Sequence, residues 1–106
     1  MYFIYILRCD DGSLYTGITT DPTRRLEEHK SRSQKSARYT RVRTVIGIVG
    51  LWECCGKSDA SKLEYHIKKL PKSKKEELLE NYQLLGDFLG EKLNADSYKW
   101  VLEAYA

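Results

Sequence analysis

The 106-residue chain lacks most of the patterns that disclose a chemistry at first sight. It has no Gly-x-Gly-x-x-Gly or P-loop run, so no glycine-rich cradle for a nucleotide phosphate is encoded. Cysteine is sparse. Cys9, Cys54 and Cys55 are odd in number and show neither Cys-x-x-Cys nor a mixed His/Cys spacing for zinc. They read as reduced thiols of a cytoplasmic protein, not as a disulfide frame. There is no serine, histidine and acid set for acyl transfer, and His66 reads as a surface residue rather than a ligand. No apolar run is long enough to span a bilayer, and the N-terminal one is too short for a signal-peptide core and has no basic leader. Internal repeats and low-complexity tracts are absent.

Hydrophobic residues make up 42% of the chain and charged residues 31%, an ordinary soluble balance that suits one domain with one modest core. The net charge of +3 is mild, but its distribution is uneven. Arg24, Arg25, Lys30, Arg32, Lys35, Arg38, Arg41 and Arg43 are interrupted only by Glu27 and Glu28. Such a block is either a surface for a polyanion or a solvated face.

Residues Tyr2 to His29 carry the clearest organisation. Tyr2-Phe3-Ile4-Tyr5-Ile6-Leu7 is aromatic and aliphatic throughout, as in a buried strand. Leu14-Tyr15-Thr16-Gly17-Ile18-Thr19 is the returning strand. A three-residue loop of Asp10, Asp11 and Gly12, with Gly12 left-handed, sets Tyr5 opposite Gly17 and Leu7 opposite Tyr15, so both tyrosines share a face. A two-residue loop would shift the register and separate them. Only the first register builds a site, and it is the one expected. Asp21 then offers an N-cap and Pro22 a first helical position. In the helix that follows, Leu26 is the sole sizeable apolar side chain, while Arg25 and His29, four apart, project from one face.

Downstream, Ser33-Gln34-Lys35-Ser36 reads as a mobile loop. Tyr39, set among arginines, either stacks on a base or packs at a strand entrance. Thr44 to Cys55 reads as a third strand, with Gly47 and Gly50 marking bulges or close approach. Ser58 is the expected cap of a helix whose apolar stripe is Ala60, Leu63, Ile67 and Leu70. Glu64 lies beside that stripe, where it either pairs with Lys68 or holds a cation. Ser73-Lys74-Lys75-Glu76 has the form of a capping box for a helix that buries Leu78, Tyr82, Leu85 and Leu89. Asn94 is placed to cap a last short helix bearing Tyr98, Trp100, Val101 and Tyr105.

Taken together, Phe3-Ile4-Tyr5, Tyr15-Thr16-Gly17, Arg25 and His29 resemble the GIY-YIG nuclease superfamily, and within it the small stand-alone bacterial YhbQ-like proteins. The run Tyr15 to Asp21, the Arg24-Arg25 pair and Ala37-Arg38-Tyr39-Thr40-Arg41 are similar to that group. Phe3 replaces the first glycine of the motif, and Ile18 stands where many relatives have lysine. The resemblance implies an α/β fold: a three-stranded antiparallel sheet (residues 2–8, 13–19 and 44–55) flanked by helices near 21–32, 58–70 and 74–89. It implies a nuclease domain over residues 1–83; residues 84–106 lie outside the resemblance and read as a C-terminal helical extension that packs on the same domain or forms a dimer contact.

The activity it implies is metal-dependent phosphodiester hydrolysis, with DNA favoured over RNA. Tyr5, Tyr15, Arg25 and His29 are the catalytic candidates, and Gly17 is the structural glycine of the site. Glu64 would hold one Mg²⁺ or Mn²⁺. Arg24, Arg38, Tyr39, Arg41 and Arg43 are candidates for contacting nucleic acid. The expected state is a cytoplasmic monomer or weak homodimer, with no membrane partner. The rival readings are a non-catalytic nucleic-acid-binding module of the same fold, and an interaction domain that uses the Trp100 and Tyr105 tail.

Overall fold

The computed structural model describes residues 1–31 and 37–105; the Ser33 to Ser36 segment expected to be a loop lies outside the described residues, as does Arg32. Strands β1 (Tyr2–Cys9) and β2 (Leu14–Thr19) form an antiparallel hairpin. Gly12 sits at φ +83°, its N–H donating to the Cys9 carbonyl at 2.9 Å, while Cys9 N–H donates to the Ser13 carbonyl at 3.0 Å. A left-handed residue at that point is what glycine accommodates without a side-chain clash. The loop therefore has three residues, Tyr5 lies opposite Gly17, and Leu7 lies opposite Tyr15.

Strand β3 (Val45–Cys54) pairs antiparallel with the other edge of β1. The register slips twice, leaving Val49 and Ile46 without partners beside Gly50 and Gly47, so the two glycines do flank bulges. The two sheet faces are covered differently. Phe3, Tyr5, Leu7, Cys9, Val45 and Leu51 form one buried cluster, closed by Leu26 of helix α1 (Pro22–Lys30) and Tyr39 of the short α2 (Arg38–Arg41). Ile4, Ile6 and Trp52 face the other way. They meet Leu63 and Ile67 of α3 (Lys57–Lys69), Leu78 of α4 (Lys72–Glu80) and the two ends of α5 (Leu85–Leu89).

The sheet has four strands, not three. Strand β4 (Lys99–Trp100) pairs antiparallel with β3, giving the order β2-β1-β3-β4. Trp100 is drawn in by aromatic packing, edge-on to Trp52 at 5.0 Å and stacked on Tyr82 at 4.9 Å, and Val101 N–H donates to the Leu51 carbonyl. The tail is thus only partly helical: Asn94 caps a single 3-10 turn, Ala95–Ser97, and then the chain extends.

Three other expectations are corrected. The helix foreseen at 74–89 is broken at Asn81, whose backbone is extended and whose side chain caps a 3-10 turn at Tyr82–Leu84. Asparagine competes for backbone groups and favours such a cap over a helix interior. The Ser73–Glu76 capping box does not form, because α4 already starts after Pro71. Glu76 instead grips Arg8 of β1 in a fork of 2.6 and 2.9 Å. Helix α3 likewise begins directly after Gly56, which leaves Ser58 inside its first turn.

Candidate active site

The floor of the site is set by how closely β2 approaches a side chain of β1. Tyr5 is only 2% exposed, and a Cβ added to Gly17 would come to 2.4 Å from the Tyr5 hydroxyl oxygen. Glycine is required there because the ring of Tyr5 lies across it. Gly17→Ala is expected to destabilise the protein by about 1–3 kcal/mol, the usual cost of overpacking, and to drive the Tyr5 hydroxyl off its partners. Thermal melting and cleavage assays check this, and a Gly17→Ala protein with unchanged Tm and activity contradicts it.

Helix α1 supplies those partners. Asp21 caps it, accepting from Arg24 N–H at 3.1 Å, and Pro22 opens the first turn. The geometry then sends Arg25 and His29 to one point. Arg25 Nε–H donates to Tyr5 Oη at 3.3 Å, and Arg25 Nη1 donates to Glu28 at 3.0 Å. Tyr5 Oη and His29 Nε2 are 2.9 Å apart, and His29 Nδ1 meets Thr40 Oγ1.

Thr40 decides the direction of these bonds. Its hydroxyl proton goes to the Ala37 carbonyl at 3.0 Å, so it accepts from His29. His29 therefore carries its proton on Nδ1 and accepts the Tyr5 hydroxyl proton at Nε2. The result is a one-way chain, Arg25 to Tyr5 to His29 to Thr40 to Ala37, in which His29 and Thr40 are fully buried.

Burial, with Arg25 nearby adding to it, holds the His29 imidazole down to about 4, and burial pushes the Tyr5 hydroxyl up to about 12 against the pull of Arg25. Both groups are neutral through the physiological range. The folded state binds His29's proton less readily than the unfolded chain does, so stability falls as pH drops from 6.5 towards 4. Tyr5 acts in the opposite window: the folded state keeps its proton longer, and stability falls as pH rises from 10 towards 12. Melting curves across pH 4–7 are expected to show the acid loss, on the order of 3 kcal/mol, and His29→Gln to flatten it. An unchanged slope in that variant assigns the loss to other groups.

Around this chain, the Tyr15 ring lies 5.5 Å from the His29 ring and 6.3 Å from the Tyr5 ring. His29 thus bonds Tyr5, and it meets Tyr15 through ring packing. Tyr39 packs on Tyr15 at 5.6 Å, and Arg43 lies over its ring at 3.8 Å, so packing is what its contacts show. Arg43 is further held by Asp11 at 3.3 Å and by the Tyr39 carbonyl. Arg24, Arg38 and Arg41 are exposed.

Glu64 is carried by α3, which packs against β1 and β2, and its charge is the weakest of the influences that raise the Tyr5 hydroxyl. Its side chain is 24% exposed and pairs with Lys68 at 3.5 Å, and Lys68 Nζ stands 5.7 Å from the Tyr15 ring centre. Among the described residues no three His, Cys, Asp or Glu side chains gather as a metal cluster. A lone, partly solvated carboxylate fits a hard ion such as Mg²⁺, which keeps most of its water and shares the rest of its shell with substrate phosphate.

Two participants went unread in the sequence. Thr40 lies in the Ala37 to Arg41 run, but nothing in its type or spacing marks it as the partner of His29. Glu28 looked like a break in the basic block, yet it anchors Arg25. Its i, i+3 spacing from Arg25 was the available signal.

A hairpin presenting two tyrosines over a glycine, with an arginine and a histidine from the next helix, defines a GIY-YIG domain. Residues 1–77 match the GIY-YIG catalytic domain, and the chain belongs to that family. It is 50% identical over 78 residues to the UPF0213 protein DP2720 of Desulfotalea psychrophila, covering 74% of this chain and 70% of that one. It is 45% identical over 78 residues to the UPF0213 protein BH0048 of Halalkalibacterium halodurans, covering 74% and 81%. The solution NMR structure of the UPF0213 protein BH0048 from Bacillus halodurans is similar at 44% identity over 76% of this chain and 84% of that one, with a TM-score of 0.48. GIY-YIG domains are typical of endonucleases that depend on divalent metal, and the fold goes with nucleic-acid binding.

Proposed function

We propose that this chain is a divalent-metal-dependent endonuclease that hydrolyses phosphodiester bonds of DNA. The observation that carries the reading is the directed hydrogen-bond chain through Tyr5, with Arg25 on one side and His29 on the other. Hydrolysis needs water to lose a proton and the leaving oxygen to gain one. Tyr5 is suited to that exchange: its oxygen can take a proton from water as its own proton passes to His29 Nε2, and the reverse shift through Tyr5 delivers a proton to the leaving oxygen. The Arg25 guanidinium, hydrogen-bonded to the same oxygen, faces the charge that grows on the phosphoryl group. Tyr15, packed on His29, helps position the water. Glu64 would hold Mg²⁺ or Mn²⁺, and that ion, when bound, polarises the phosphate. Arg24, Arg38 and Arg41 offer exposed cations for flanking phosphates. The three free thiols fit a reducing compartment such as the cytoplasm, and a monomer or weak homodimer is the proposed state.

The test is cleavage of duplex, branched and single-stranded DNA with Mg²⁺ or Mn²⁺, and again after chelation. Metal-dependent nicking or cutting supports the reading. Binding of the same substrates with no cleavage makes the protein a nucleic-acid-binding module instead.

A further inference from the structure

A second cavity lies on the other flank of α3, outside the tyrosine site. It is a half-open cleft of about 300 Å³ lined by Tyr65, His66 and Lys69 of α3, by Leu70, and by Phe88, Leu89 and Lys92 of the C-terminal extension. Three of its seven lining residues therefore lie beyond the family match, which ends at residue 77. The composition is specific. Phe88 and Tyr65 supply ring faces, Lys69 and Lys92 supply cations, and no carboxylate lines it. Lysine tips already ride on the rings: Lys69 Nζ is 4.7 Å from the Tyr65 centre and Lys74 Nζ is 4.8 Å from the Phe88 centre. These tips are flexible, and they can turn from a ring to a phosphate when another flat group takes their place. Rings beside cations are the means by which single strands are held without regard to sequence.

Position favours the same occupant. Round α3, Glu64 and Lys68 line the flank beside Tyr15, Tyr65 and Lys69 form the crest, and His66 and Leu70 line the far flank. The cavity is thus about one helix diameter, roughly 10 Å, from Glu64. A strand leaving the tyrosine site reaches it after crossing a crest that is itself cationic and aromatic.

We propose that this cavity binds an unpaired nucleotide of the nucleic-acid substrate, its base against Phe88 or Tyr65 and its phosphate between Lys69 and Lys92. The proposal rests on the nuclease reading, and it makes substrates with a single-stranded tail the preferred class.

The test uses the full chain in chelator, so that no cleavage occurs. A fluorescent oligothymidine and a blunt duplex are titrated against the wild type, Phe88→Ala and Lys69→Glu/Lys92→Glu. The lysine variant guards against loss of packing at Phe88. Single-strand affinity is expected to fall about tenfold or more in each variant, with blunt-duplex affinity changed less than about twofold. Equal loss for both DNAs, or no loss for either, overturns the cavity. So does a single-strand affinity that heparin matches and Phe88→Ala leaves intact, since that is charge alone. If metal-dependent cleavage is present and the cavity variants bind normally, the nuclease reading stands without the cavity. If cleavage is absent and Phe88-dependent binding persists, the cavity stands without the nuclease.

Discussion

Glu64→Ala is expected to abolish divalent-dependent cleavage and to leave the protein folded. Two carboxylates act near Tyr5: Glu28, which is engaged by Arg25, and Glu64, which comes from α3 and pairs with Lys68 at the surface. With Glu28 committed to Arg25, Glu64 is the proposed protein contact of a hydrated ion. Its structural contribution is small: the pair with Lys68 spans 3.5 Å at a partly solvated surface, and such pairs contribute about 1 kcal/mol or less. The variant should therefore melt close to the wild type, which separates loss of metal from loss of fold. Glu64→Gln, with the same size and no charge, should be as inactive as alanine. Activity is measured across a Mg²⁺ and Mn²⁺ series, in protein purified free of other nucleases. Full activity in Glu64→Ala sinks the metal assignment.

Arg25→Ala lowers turnover on the order of 10²-fold or more, and substrate binding much less, because a preorganised cation matters most when phosphoryl charge is greatest. The hydrogen bond from Nε to Tyr5 Oη fixes where that cation stands, and Glu28 holds its other end. Arg25→Lys should rescue poorly, since a lysine keeps the charge and loses the planar fork. The substitution also has a signature independent of cleavage. Arg25 helps to hold the His29 imidazole down, while Glu28 pulls it up. With Arg25 removed, His29 should titrate above its wild-type value of about 4, as seen in its imidazole NMR signals. A loss of binding as large as the loss of rate reduces Arg25 to a phosphate anchor.

Much of this site was legible in the sequence because it is built from local rules. The Asp10–Gly12 loop sets the register, the register puts Tyr5 and Tyr15 on one face, and i, i+4 spacing aligns Arg25 with His29. Thr40 was not legible, since its role depends on the return of the chain after α1 and on one hydroxyl choosing the Ala37 carbonyl. Strand β4 escaped for a different reason. It has two residues, one of them Lys99, and its pairing is decided by the fit of Trp100 between Trp52 and Tyr82. Helix α4 ended early for a reason that was available: Asn81 offers a cap that the apolar stripe around it obscured.

The late arrival of β4 also bears on how the protein is made. Strands β1, β2 and β3 emerge from the ribosome well before Lys99, so the three can pair while α3, α4 and α5 are still being synthesised or docked. Throughout that interval the Leu51 to Glu53 end of the outer β3 edge lacks its partner strand, and Trp52, 1% exposed in the finished fold, has no Trp100 across from it. An unpaired edge beside an uncovered tryptophan is a template for another nascent chain. A polypeptide stalled or clipped before Lys99 would carry Tyr5, Tyr15, Arg25, His29 and Glu64, and it would be the aggregation-prone form.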